Sequence, residues 1–291
     1  DKRRGKGEGV MSLIVQKYGG SSLADLDKIR LVASRVKKYG DEGHELVVVV
    51  SAMGKTTDQL ISLAKNLNPF PPERELDMLL STGEQVSISL LAIALSSLGV
   101  KSVSLTGGQA GIITTDTYTK AKIFHIDTRR IKELLLNHQV VIVAGFQGRT
   151  PQGDITTLGR GGSDITACAL AAALDADFCE IYTDVPGVFT ADPHLVPQAQ
   201  KIARLSYEEM SEMATLGAKV LQPRAVDFSQ AYGVRVHVRS TFSEEEGTWV
   251  EELNNMEEVR VKAITHSGDM LKIVLLGVPN QPGVAAQIFK T

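Results

Sequence analysis

Apolar residues gather in short unbroken runs at residues 13–16 (LIVQ), 46–50 (LVVVV), 103–105 (VSL), 140–144 (VVIVA), 179–183 (CEIYT) and 234–238 (VRVHV). Runs of this length without alternation predict strands covered on both faces. Between them the period changes to that of a helix. The clearest case places Leu76, Leu79, Leu80, Gly83, Ser87, Leu90, Leu91, Ala94 and Leu98 on one stripe. Ile29, Val32, Ala33 and Val36 repeat the pattern, and residues 163–174 and 207–232 also read as helical. Strands alternating with helices predict an α/β fold, a three-layer αβα sandwich with a mainly parallel open sheet. The pattern breaks after the last run. STFSEEEGTWVEELNNMEEV is polar, acidic and turn-rich, as interdomain segments are. The residues that follow read as strand, turn, strand, loop and the first turns of a helix.

Composition narrows the function classes. The chain has 291 residues, 43% of them hydrophobic, enough for a substantial core. A net charge of −3 gives no basic excess for a nucleic-acid partner or an anionic membrane surface. The apolar runs are far shorter than the roughly 20 residues a membrane-spanning helix needs. Cys168 and Cys179 lie in apolar runs without metal-ligand spacing, which fits buried thiols in a reducing cytoplasm. No metal-ligand set is apparent. The basic, glycine-rich residues 1–10 precede a strand-like run and read as a leader or tag.

In open α/β sheets ligands bind at the carboxyl ends of strands, so the chemistry is sought there. Lys17-Tyr18-Gly19-Gly20-Ser21 follows the first run. Its glycines admit backbone N–H groups to a phosphate and Lys17 supplies a cation, although a glycine turn with a helix cap has the same composition. It matches neither the Walker A nor the dinucleotide glycine pattern. After the second run, Ser51 and Thr57 offer hydroxyls to an anionic substrate or cap a helix. Gly159-Arg160-Gly161-Gly162-Ser163-Asp164 sets a guanidinium among glycines, where a carboxylate can dock; Asp164 can orient Lys17 or the attacking group. Thr183 and Asp184 open a rigid loop that continues through Phe189, Thr190, Ala191, Asp192, Pro193 and His194 and suits the frame of a nucleotide, or an ordinary surface loop. Lys219 and Val220 begin another predicted helix, and Glu84 flanks the apolar stripe, where a carboxylate can meet a substrate ammonium.

In order and rough spacing, KYGGSS, SAMGKTTD, STGEQ, TLGRGGSD, TDVPGVFTADP and GAKVLQP resemble the aspartate kinases of the amino acid kinase family, over about residues 13–247. GVPNQPGVAAQIF resembles the opening of the ACT domain that follows in that family. The resemblance implies transfer of phosphate from ATP with Mg²⁺ to the β-carboxylate of L-aspartate, in a cytoplasmic homodimer whose intact form takes a lysine or threonine effector. It implies a catalytic domain over 11–248, a linker over 249–258 and an incomplete ACT domain over 259–291. Residue by residue, it gives Lys17 and Asp164 catalytic roles. It assigns Ser51, Thr57, Glu84, Arg160, Gly161 and Ser163 to aspartate. Tyr18, Gly19, Gly20, Ser21, Thr183, Asp184, the six residues from Phe189 to His194, Lys219 and Val220 go, with Lys17, to the nucleotide. Two positions depart from the family pattern: His194 stands where arginine is usual, and Phe189 where tyrosine is common. Other family members, acting on acetylglutamate or glutamate, and a non-catalytic amino-acid sensor are the rival readings.

Overall fold

The computed structural model describes residues 11–218, 220–253 and 263–265. Of the expectations above, Lys219, the leader and nearly all of the ACT-like segment lie outside the described residues.

Eight strands form the main sheet. In spatial order these are β10 (Arg204–Leu205), β12 (Thr248–Val250), β11 (Val236–Ser240), β9 (Phe178–Thr183), β1 (Leu13–Tyr18), β2 (Glu45–Val50), β6 (Val140–Ala144) and β3 (Ser102–Leu105). All neighbouring pairs are parallel except β11 with β12. The six runs read from sequence correspond to β1, β2, β3, β6, β9 and β11.

Alternation along these strands feeds two separate cores. Val47 and Val49 of β2 point to one face with Val141, Val143 and Ile181, under α4 (Arg129–Leu136), α5 (Gly162–Leu174), α6 (Tyr207–Thr215) and α7 (Pro223–Tyr232). Leu46, Val48 and Val50 point to the other with Ile142 and Tyr182, under α1 (Leu26–Asp41) and α3 (Glu73–Ser97). This is why the strands are continuously apolar: each side chain, up or down, meets a helix layer. α2 (Thr56–Leu67) packs on α3.

Although α3 is long and apolar enough to cross a bilayer, its inner face packs against β2, β3 and β6, as a core helix does. That face is set by Leu80, Ile88, Leu91 and Leu95 and carries Asp77 and Glu84 with them. The helical reading of 207–232, with a second helix opening at Lys219 and Val220, holds two helices, the second starting later than expected, at Pro223. α6 stops at Thr215, Gly217 follows at φ +127°, and α7 restarts with Pro223 in its first turn, a position where proline is tolerated. The acidic stretch after β11 contributes β12, whose Thr248 and Val250 are buried.

A second sheet was not legible in the apolar runs. It orders β5 (Ile123–Ile126), β4 (Ile112–Thr114), β7 (Gln147–Arg149) and β8 (Ile155–Thr157). It is built from two excursions, one leaving β3 and the other leaving β6, at the carboxyl end of adjacent parallel strands. Asp77 clips both to α3: its carboxylate accepts hydrogen bonds from the Thr119 N–H (2.9 Å) and from the Thr157 N–H and hydroxyl (2.8 and 2.6 Å).

Candidate active site

The carboxyl ends of β1, β2 and β9 and the start of α5 converge on one centre. Lys17, near the end of β1, places its Nζ 2.6 Å from Oδ1 of Asp164 in the first turn of α5, both side chains largely buried. A charge-assisted contact this short fixes the cation in place. The approach of α5 depends on its glycines. Gly161 has a left-handed φ of +74°, and a Cβ there would meet the Gln222 side chain at 2.3 Å. Beside the ion pair, the Ser51 hydroxyl donates to Ser163 Oγ at 2.8 Å, joining the end of β2 to the start of α5.

Glu84 enters from α3. Its side chain is 2% exposed; one oxygen accepts from the Ala52 N–H at 3.1 Å and the other has no partner among the described residues. Burial pushes its carboxyl up to about 7, opposed only by backbone hydrogen bonds. A buried carboxylate with one unpaired oxygen is unfavourable unless a cation meets it. The helix reaches this loop closely because residue 83 is glycine: a Cβ there would lie 2.8 Å from that of Ala52. Thr57 is half-buried in the first turn of α2, and Arg160 is exposed at the rim, just before α5.

The phosphate-loop candidates follow β1. Gly19 donates its N–H to the Tyr182 carbonyl (3.4 Å), and the Gly20 carbonyl accepts from the Gly54 N–H (3.0 Å). A Cβ on Gly20 would press the Ala52 carbonyl at 2.9 Å, so the two loops touch through backbone alone. Thr183 ends β9 and bonds its neighbour Asp184 (3.0 Å). Beyond it, the chain from Phe189 to His194 bridges to Lys201, with Thr190 and Gln200 exchanging hydrogen bonds and the His194 N–H capped by Asp192. The Ile264 N–H also donates to the Thr190 carbonyl (2.8 Å).

One assignment needs correcting. Tyr18 is fully buried, its ring stacked on Tyr182 at 4.6 Å and its carbonyl accepting from the Ser51 N–H, so it supports the loop from behind. Val220 is half-buried against the hydrophobic core. The sequence reading also passed over Gly145 and Phe146, directly after β6. A Cβ on Gly145 would meet that of Ser163 at 2.8 Å, and Phe146 holds a left-handed φ of +69° against Gly162. Their place after a central strand was the available signal.

Residues 12–240 match the amino acid kinase family. An aspartokinase of Thermus thermophilus is 52% identical over 280 residues, 96% of this chain and 69% of that protein. The crystal structure of an aspartate kinase from Synechocystis superposes with a TM-score of 0.75 at 52% identity, covering 85% of this chain and 41% of the other. E. coli aspartokinase III, solved with aspartate and ADP and again with lysine and aspartate, gives TM-scores of 0.73 and 0.75 at 29% identity. The first of these matches covers 83% of this chain and 65% of the other. The chain thus spans about two thirds of the Thermus relative and well under half of the Synechocystis protein. With the family match running through most of its length, the chain belongs to the amino acid kinase family, as one of its aspartokinases.

Proposed function

We propose that the chain transfers the γ-phosphoryl group of ATP to the side-chain carboxylate of L-aspartate, giving 4-phospho-L-aspartate and ADP. The observation that carries this reading is a buried Lys17–Asp164 pair beside Glu84, whose second carboxylate oxygen lacks a partner among the described residues. A carboxylate acceptor is already nucleophilic, so the protein has no proton to remove. Catalysis reduces to alignment and charge neutralisation. Asp164 holds Lys17 where the transferring phosphoryl group passes. Glu84 takes the substrate ammonium, and Arg160 takes a carboxylate in a two-pronged contact. Ser51, Thr57, Gly161 and Ser163 complete the acceptor side. Gly19, Gly20, Ser21, Thr183, Asp184 and the loop from Phe189 to His194 complete the nucleotide side, with Lys219 and Val220 assigned there from their motif.

Among the described residues no three His, Cys, Asp or Glu side chains cluster as a metal site. Mg²⁺ carried in on a nucleotide keeps several waters and is commonly held by phosphates with one or two carboxylates, so a single carboxylate suffices on the protein. Asp184 is an exposed carboxylate at the end of β9 that could hold it. When bound, Mg²⁺ neutralises phosphate charge. A homodimer, a cytoplasmic location, an amino-acid effector such as lysine or threonine, and an ACT segment beginning near residue 259 belong to the same proposal.

The test is ADP release from MgATP with L-aspartate, set against N-acetylglutamate, glutamate and UMP. Turnover with aspartate alone is expected. Turnover with another acceptor reassigns the substrate, and silence with all four in a sample that binds ATP favours a sensor.

A further inference from the structure

The loops assigned to the nucleotide have few side-chain anchors of their own, Gly19 and Gly20 having none. What fixes them comes from elsewhere. The Thr241 hydroxyl, just past β11, shares a 2.6 Å hydrogen bond with the buried Ser22 hydroxyl, in the turn Gly20–Leu23. The Thr241 N–H donates to the Thr183 carbonyl at 2.8 Å. One residue thus joins the phosphate turn to the end of β9.

The chain on either side of Thr241 is held in turn from α1, chiefly by Arg35, while Lys38 reaches the exposed Glu244 carboxylate (3.5 Å) and Lys28 lies over the Phe242 ring. Arg35, 9% exposed, donates from one terminal nitrogen to the Ser240 carbonyl (2.8 Å). The other terminal nitrogen donates to the Ser243 carbonyl (3.1 Å) and to the Glu244 carboxylate (2.8 Å). Its guanidinium lies 4.9 Å from the centre of the Tyr182 ring. Only a planar fork satisfies two carbonyls and a carboxylate in this way; a lysine is a point charge. α1 itself begins just after the phosphate turn, so the connections close a ring: Ser22, along α1 to Arg35, across to Ser240 and Ser243, and back through Thr241 to Ser22.

We infer that Arg35 is a positioning residue for the nucleotide, acting through Thr241 to hold the Gly19–Ser22 turn and Thr183 in the bound arrangement before ATP arrives. This rests on the assignment of those loops to the nucleotide. Rigid pre-positioning raises affinity by removing an ordering cost at the moment of binding. The aspartate side has its own supports in Glu84, Ser51 and Ser163, and the ring does not include them.

Calorimetric titration with MgADP, alongside aspartate KM and kcat, tests this on Arg35→Met, Arg35→Lys and Thr241→Val at temperatures where each is folded. Arg35→Met is expected to weaken MgADP about tenfold, the loss of roughly one charged hydrogen bond, with aspartate KM within about twofold. Arg35→Lys recovers only part of that loss. Thr241→Val keeps its backbone bond to Thr183 and leaves Arg35 in place, so it weakens MgADP less, about threefold; it carries the test if Arg35→Met does not fold. MgADP affinity unchanged in the folded variants, or aspartate and nucleotide weakened equally, overturns the proposal. Gly20→Ala serves as the reference, since its Cβ would press the Ala52 carbonyl. If it weakens MgADP and the other variants do not, only the role of Arg35 falls. If neither it nor Lys17→Ala affects MgADP, the nucleotide assignment fails and this inference with it.

Discussion

The two halves of the site are built from different materials. On the acceptor side, polar groups sit on regular elements and are buried or half-buried: Glu84 midway along α3 and Asp164 at the start of α5 are buried, and Ser163 beside Asp164 is half-buried, as is Lys17 in β1, which faces both halves. On the nucleotide side, Asp184, Asp192, Pro193 and His194 are exposed and held chiefly through backbone. Buried groups in low dielectric interact strongly and leave large penalties when unpaired, whereas exposed ones are screened. Single substitutions should therefore hurt the acceptor side far more than the outer nucleotide loop.

Lys17→Ala should show the largest effect, a fall in kcat of about a thousandfold, as for loss of a main charge stabiliser in a transition state. Near-normal turnover in a folded variant would remove Lys17 from its role. Arg160→Ala should raise aspartate KM by about ten- to a hundredfold and leave ATP KM nearly unchanged, the worth of one charged contact. An unchanged aspartate KM places the substrate elsewhere.

Glu84 gives the comparison a pH axis. Its carboxyl lies at about 7 because burial disfavours the charged form. The substrate ammonium needs that charged form, so apparent aspartate affinity should fall as pH drops from 8 to 6. Glu84→Gln should weaken aspartate at every pH and flatten that profile. The stability sign is opposite. A raised carboxyl value means the folded chain binds the proton more tightly than the unfolded one, so this group's penalty is full above about 7 and is relieved as pH falls toward 4.5. Thermal melts of the ligand-free protein should therefore show Glu84→Gln gaining on the parent most at pH 8 and least near pH 5; a constant gap would show that burial does not set this value. Asp192→Ala should have the smallest effect, changing ATP KM by no more than about threefold. A larger change would mean that the loop closes tightly over the nucleotide.

What could be read in advance follows the same division. Strands β1, β2, β6 and β9 were visible because both their faces are covered and their runs are unbroken. β4, β7 and β8 have three residues each and no such run. The start of α7 was expected a few residues early, at Lys219 and Val220, because apolar residues such as Leu216 and Leu221 continue the helical pattern across the break. The Lys17–Asp164 pair was legible because each residue sat in a glycine-rich loop at a strand end. Glu84 looked like a residue flanking a stripe, and only the rotation of α3 onto Asp77, Glu84 and Ile88 showed how deeply it is buried. Tyr18 was misassigned because adjacency to Lys17 says nothing of which way a strand residue points. The bonds from Arg35 to Ser240 span 205 positions, a separation that no local pattern encodes.

The clip made by Asp77 bears on the order in which the molecule assembles. Its partners, Thr119 and Thr157, arrive on two excursions that meet only once β3 and β6 lie side by side. The second sheet should therefore form late in folding, after long-range strand pairing and the docking of α3. In amide exchange its two halves should open and close together, and an Asp77→Asn chain should lose protection across both at once while β1 and β2 stay closed.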